Sequence, residues 1–283
     1  MSCIIDTAGF RISCFSLLAS LILPAPGLHA QDAVDAWFER VEQTQAAQPH
    51  WITPVVTVTP RLEQEFRFDL FHQDLAGGFT TLNIGGGKGL ELIPSERVEV
   101  ILGIPAYLDH GSARAHDGFG DTSFLVKYRL FSGNEEAGNY IVTAFLGASV
   151  PTGSYSNGAE HAVITPTLAA GKGWKDFSVQ STLGAGIPTG DIARLGRPIL
   201  SNTAFQYRVA RRFWPEFEIN STFWPDGVRS GKKQVFLTPG LVIGRIPLRR
   251  RLGLTFGAGF QIAATHFHTY NHSLIFTIRL PFS

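Results

Sequence analysis

The chain has 283 residues, 44% hydrophobic and 17% charged, and its formal charge is 24 − 23 = +1. A soluble domain usually carries about 25% charged residues, so an ordinary hydrated surface is excluded, and the apolar fraction excludes a disordered chain. The even charge balance excludes a polybasic nucleic-acid or anionic-surface binder.

Ile12–Leu23 (ISCFSLLASLIL) is the longest apolar run, followed by PAPGLHA up to Ala30. A spanning helix needs roughly 20 apolar residues, so this run is too short to cross a bilayer and suits the core of a secretion signal. Residues 1–30 are therefore expected to be a signal peptide, cleaved before Gln31. Both cysteines, Cys3 and Cys14, lie inside it, which leaves residues 31–283 without disulfides or thiol chemistry. Cys14 stands near the start of the apolar run, where a lipidated cysteine would follow it, which argues against lipidation.

Residues 31–59 differ from all that follows. Val34, Trp37, Phe38 and Val41 fall at helical spacing among Asp32, Asp35, Glu39 and Arg40. The segment reads as a periplasmic helix, a plug inside a barrel, or a mobile leader.

From residue 60 to 283 the chain alternates. In Arg61–His72, Leu62, Gln64, Phe66, Phe68 and Leu70 face one way and Arg61, Glu63, Glu65, Arg67 and Asp69 the other, the period-two signature of a strand. The rhythm recurs around Phe124, Val126 and Tyr128, around Phe205 and Tyr207, around Phe217 and Ile219, and around Phe276 and Ile278. Turn signals divide the chain into twelve expected strands near 60–72, 79–92, 97–107, 119–131, 139–150, 161–173, 177–187, 199–209, 214–224, 234–244, 252–264 and 272–282. Strands of globular proteins usually have about 5–6 residues, whereas a tilted transmembrane strand needs roughly 9–11. Short connections alternate with longer loops rich in Gly, Ser, Asp and His, as at the two rims of an outer-membrane barrel.

The tripeptides Gly103–Pro105, Ser149–Pro151, Gly186–Pro188 and Phe223–Pro225 recur where alternate strands end. Proline cannot donate to a ladder, so it marks where pairing stops. No helix-length apolar segment follows Leu23, and only a closed barrel then satisfies every backbone group in lipid. The expectation is an all-β fold: an antiparallel transmembrane β-barrel of about twelve strands, with a short helical or extended N-terminal segment. Trp174, Trp214, Trp224, Tyr107 and Tyr128 lie towards strand ends, as in aromatic girdles.

Chemistry is sparse. An outer-membrane phospholipase would need a histidine two residues before its serine, but Ser154 stands there before Ser156-Asn157-Gly158. A serine without an adjacent base is not activated, so no catalytic residue is assigned. His266 and His268 would share a face in an extended segment, but polar loop residues are the preferred reading over a metal site. No cofactor, metal or nucleic acid is expected; the expected partners are outer-membrane lipid, the barrel-assembly machinery and a small-molecule solute. What remains is the lumen. Arg61, Glu63, Glu65, Arg67, Asp69, Arg97, Glu99, Asp121, Lys127, Arg129, Arg208, Glu216, Glu218 and Arg279 are expected to line it. Their mixed signs suit paired burial and a solute path without strong charge selectivity.

Gly118-Phe119-Gly120-Asp121, Lys127-Tyr128-Arg129-Leu130 and Pro151-Thr152-Gly153 resemble the G-x-G-D…K-Y-R-L…P-T-G run of the outer-membrane proteins named for the meta-pathway of phenol degradation. The resemblance is sharpest over about 118–190. It implies a barrel channel or transporter in the outer membrane, linked to uptake of aromatic or other hydrophobic compounds, with no catalytic residues to carry over.

Overall fold

The computed structural model describes residues 30–112 and 115–283; the expected signal peptide lies outside the described residues, save Ala30. Helix α1 (Ala30–Ala46) comes first. The strands follow as β1 (Glu65–Asp74), β2 (Thr80–Ile84), β3 (Leu90–Ser95), β4 (Val98–Leu102), β5 (Tyr107–His110), β6 (Gly118–Phe119), β7 (Thr122–Gly133) and β8 (Tyr140–Val150). The second half is β9 (Val163–Trp174), β10 (Phe177–Ala185), β11 (Ile187–Pro188), a helical turn α2 (Ile192–Leu195), β12 (Ile199–Tyr207), β13 (Phe213–Phe223), β14 (Lys233–Arg249), β15 (Leu252–Ala263) and β16 (His272–Pro281).

Each strand pairs antiparallel with its neighbours, and β1 closes on β16 in register from Glu65↔Pro281 to Asp74↔His272. The pairs β2–β3, β4–β5, β6–β7 and β10–β11 are each one wall strand with an interruption, so the wall is a closed barrel of twelve strands. Closure leaves no free edge to meet lipid.

The alternation settles which side chains face lipid. Phe124, Val126 and Tyr128 on β7, Leu168 on β9, Phe217 on β13, and Phe276 and Ile278 on β16 are exposed on the outer wall. Their neighbours Lys127, Ala169, Glu218 and Thr277 are buried. Tyr128, Phe131, Tyr140, Trp174, Tyr207 and Phe213 ring the short-turn rim, and Tyr107, Phe119 and Phe223 stand near the long-loop rim. Short turns of such barrels face the periplasm, which orients the chain.

Of the differences from the expected strands, two shape the lumen. The first strand starts at Glu65 rather than at residue 60, because Arg61, Leu62, Glu63 and Gln64 are all buried inside the barrel. Alternation there reflects two buried sides, one facing the wall and one facing an inner segment. The second strand is not continuous over 79–92. Gly85, Gly87 and Gly89 have positive φ (82°, 140° and 105°), which glycine adopts without penalty, and the resulting bulge turns Lys88 into the interior, where it is buried.

An arginine replacing Leu168, which faces outward at mid-strand, is expected to cost about 2–4 kcal/mol. Urea unfolding in lipid vesicles measures this, and the same substitution at an outward rim position such as Trp174 should cost far less.

Candidate functional site

Between α1 and β1 the chain enters the lumen from the short-turn rim and returns. The segment 51–64 has no regular secondary structure, so its backbone donors and acceptors need partners from the wall. The inward charges supply them. On β13, Glu216 Oε1 accepts the Val55 amide at 2.8 Å, and Glu218 accepts those of Val56 (2.7 Å) and Thr57 (2.6 Å). Facing them, Arg279 on β16 donates to the carbonyls of Thr53 and Pro54, the latter at 2.7 Å. Arg67 on β1 donates to the Val55 carbonyl at 2.5 Å and to Asp69 at 2.8 Å. Carboxylates thus hold the plug's N–H groups and guanidinium groups hold its carbonyls. Hydrogen bonds to charged groups are worth about 1.5–3 kcal/mol each, and here each also removes a buried orphan.

The return arm is held by a second set. The Gln48 side-chain amide donates to the Leu62 carbonyl at 2.8 Å and accepts the Leu62 N–H at 2.9 Å. Arg61 donates to the Trp51 carbonyl and pairs with Glu63 at 2.7 Å. Glu63 also pairs with Arg245 at 2.6 Å, while its amide donates to Glu99 at 2.7 Å. Lys127 joins Glu99 (2.9 Å) and the Arg61 carbonyl (3.1 Å).

Apolar packing fills the rest. Trp51, Ile52 and Val55 form one cluster with Ile141, Trp214, Val242 and Ile275 on the inner wall. Glycine makes room for it: a Cβ at Gly171 would lie 2.5 Å from the Trp51 ring.

The expected lumen residues fall into two groups. Arg61, Glu63, Glu65, Arg67, Asp69, Glu99, Lys127, Arg129, Glu216, Glu218 and Arg279 are buried. Of these, Arg61 and Glu63 belong to the plug rather than to the wall. Arg129 sits lower, donating to the Thr44 carbonyl of α1 at 2.8 Å and to that of Glu96 at 2.7 Å. The remaining three do not line the lumen. Arg97 is exposed in the turn between β3 and β4, since alternation loses its meaning once pairing ends. Arg208 pairs with Asp176 at 2.8 Å across neighbouring short turns. Asp121 sits between β6 and β7 and accepts the amides of Gly153 (2.9 Å) and Ala159 (2.8 Å).

That last contact explains part of the sequence signature. Asp121, Thr152 and Gly153 form a clasp in which Thr152 Oγ1 accepts the Thr122 amide at 2.8 Å. Gly153 is required because a Cβ there would lie 2.7 Å from the Gly158 backbone. Ser156 is an exposed turn residue, and the ring of nearby His110 bonds Asn157 (2.9 Å) and Thr81 (3.1 Å).

Sequence reading did not single out Gln48, Thr59, Gln180 or Gln206. Thr59 donates to Gln180 (2.7 Å), which donates to Gln206 (2.7 Å), which donates to Glu216 (2.7 Å). The inward phase of Gln180 and Gln206 was legible in their strands, whereas Gln48 and Thr59 lie outside any strand, and neutral side chains carry no signal of partnership. Glu91 is fully buried, 3.7 Å from Lys88, and its place in Leu-Glu-Leu was the available clue.

Outside the lumen, ion pairs fix the loops. The side-chain bond from Arg194 holds the Asp191 carboxyl below the usual range, and Arg197 does the same for Asp226. At the opposite rim, burial pushes Glu135 up, but the backbone N–H and ring of His50 bring it below its ordinary value. His50 donates its amide to Glu135 at 2.8 Å.

A closed antiparallel barrel with an apolar outer wall, aromatic rims and a charged interior is a transmembrane β-barrel of the outer-membrane type. Residues 71–224, more than half of the chain, match the family described as "Putative MetA-pathway of phenol degradation", and the chain belongs to that family. Among solved structures it is similar to an outer membrane channel from Pseudomonas putida F1, with 12% identity and a TM-score of 0.55 over 81% of this chain and 98% of that one. It is also similar to the NanC porin, with 10% identity and a TM-score of 0.48 over 76% of this chain and 99% of that one. At 12% identity the likeness to the Pseudomonas putida F1 channel shows the fold alone. No curated protein sequence matches the chain.

The depressed Glu135 carboxylate favours the folded tether above the ordinary glutamate range and loses that contribution as pH falls through its lowered value. The His50 amide should stay protected from hydrogen exchange at pH 7 and lose protection only well into acid. Glu135→Ala, which removes the acceptor, should leave it exchanging freely at both pH values.

Proposed function

We propose that this protein is a passive channel for small hydrophobic or aromatic solutes, gated by the plug 51–64. The observation that carries the reading is the seating of that plug. It reaches into the barrel from the periplasmic rim, and above its tip at Val58 lies a cavity of about 250 Å³ lined mainly by Val58, Ile101, Leu125, Val163 and small residues such as Gly147 and Ser149, with Lys88 as its one charged side chain. A wall of this character admits an apolar body of the size of one aromatic ring, and family membership favours the same solute class. The inner wall is polar but nearly charge-balanced, which suits a path without strong ion selectivity.

The hold on the plug sets the resting state. Glu218→Ala removes the acceptor of two buried amides, Val56 and Thr57, and each unsatisfied group costs about 1–3 kcal/mol. Loss of this clamp should raise single-channel conductance in planar bilayers and the rate of liposome uptake of benzyl alcohol, each at least twofold over the parent chain. A parent and a variant that are both silent, and that both exclude the solute, would identify a sealed structural barrel instead. Hydrolysis of phospholipid that disappears in Ser156→Ala would place the chain among lipid-modifying enzymes.

A further inference from the structure

The lumen absorbs most buried charge, but it leaves the basic hairpin joining β14 to β15 unexplained. Residues 244–253 read GRIPLRRRLG, with no acidic residue among them. Arg249 and Arg250 are exposed, Arg251 stacks its guanidinium 4.4 Å from the Phe38 ring centroid, and Arg245 pairs with Glu63. The neighbouring hairpin between β12 and β13 adds exposed Arg211 and Arg212. The opposite part of the same rim carries Glu96, Glu135 and Glu136 together with Arg97, so basic side chains are concentrated at the β12–β13 and β14–β15 hairpins. Ser283 closes one side of this cluster, its amide donating to the Arg251 carbonyl at 3.0 Å, while the exposed Arg249 and Arg250 present positive charge that attracts an anionic partner.

A groove on the lipid face of the same strands says which. Leu241, Ala258 and Phe276 lie side by side across β14, β15 and β16, as do Ile243, Phe256 and Ile278 in the next row. Large, small and large side chains in register make a trough whose floor is Ala258. Its volume is about 280 Å³, and its lining is almost wholly apolar. Ala258 lies 258 − 252 = 6 residues from Leu252 at the hairpin tip, about 20 Å along the strand. With a strand tilt of about 45°, that is roughly 14 Å of depth, close to half of a ~30 Å hydrocarbon core. An acyl chain whose headgroup rests at the arginine hairpin therefore reaches the trough.

We infer that the outer wall of β14–β16 is a binding site for an anionic phospholipid of the inner leaflet. The headgroup phosphate sits on Arg249 and Arg250, whose planar donors match it, and one acyl chain lies over Ala258. Leu248, 50% exposed between Pro247 and Arg249, anchors the hairpin at the hydrocarbon boundary.

The test uses the full chain in nanodiscs of phosphatidylethanolamine with spin-labelled phosphatidylglycerol or spin-labelled phosphatidylcholine as probe. The expected result is at least fivefold preference for the motion-restricted phosphatidylglycerol at low salt, weakened at 0.5 M NaCl. Arg249→Gln with Arg250→Gln should bring the preference close to one. Ala258→Phe, which fills the trough from a lipid-facing position, should lower retention of both lipids without touching the arginines. Equal retention of the two lipids by the parent chain, a preference unchanged in the arginine variant, or retention unchanged in Ala258→Phe would overturn the assignment. So would binding to isolated peptidoglycan that is lost in the arginine variant while no lipid preference is seen.

Discussion

Every backbone N–H and C=O that enters hydrocarbon must find a partner within the protein, at a cost of several kcal/mol for each that does not. The pairing of β1 with β16 meets that demand for the wall, since it converts two sheet edges into one more ladder. The rest of the molecule follows from having closed the sheet. Alternation sends one face of every strand to lipid, which requires Phe, Leu, Ile and Tyr, and the other face inward, where charge is tolerated only in balance. The low charged fraction and the near-zero net charge are thus two consequences of the same closure.

A closed wall creates a second problem, an interior too polar to collapse and too narrow to hydrate freely. Isolated buried ions are costly, and even buried ion pairs often only break even against apolar packing. The segment 51–64 changes that balance because an irregular backbone is itself a dense array of donors and acceptors. Glu216 and Glu218 take its amides, while Arg67 and Arg279 take its carbonyls. These four inward charges therefore do more than cancel one another: they bind a piece of polypeptide, and its backbone supplies them with partners. Glycine at 171 and 257 lets the plug's Trp51 and Val55 approach the wall closely. On the proposed reading, a barrel filled in this way opens by moving one segment, with the wall unchanged.

Strand number, phase and the alternation of short and long connections were all legible in the sequence, because period-two burial writes itself directly into residue choice. The inward phase of Glu65, Arg67, Glu99, Lys127, Glu216, Glu218 and Arg279 came with it. Two features were not legible. Arg61–Gln64 alternates like a strand, yet it is buried on both sides, and periodicity cannot distinguish a membrane wall from a polar plug. The plug's own contacts are carried mainly by the backbone of Thr53–Thr57, which has no side-chain signature. At rims the rule fails for a simpler reason: Arg97 and Arg208 keep the phase of their strands but lie past the last paired residue, where phase no longer dictates direction.

The central claim is that residues 51–64 occupy the lumen against β13. Beyond residue 30 the chain has no cysteine, so an engineered pair is an unambiguous reporter. Thr57 Oγ1 lies 3.4 Å from Asn220 Nδ2, and Thr57→Cys with Asn220→Cys should cross-link on mild oxidation in the outer membrane, giving a 57–220 disulfide peptide by mass spectrometry. Two thiols that stay reduced and both react with a membrane-impermeant maleimide would place the plug outside the barrel and contradict the account.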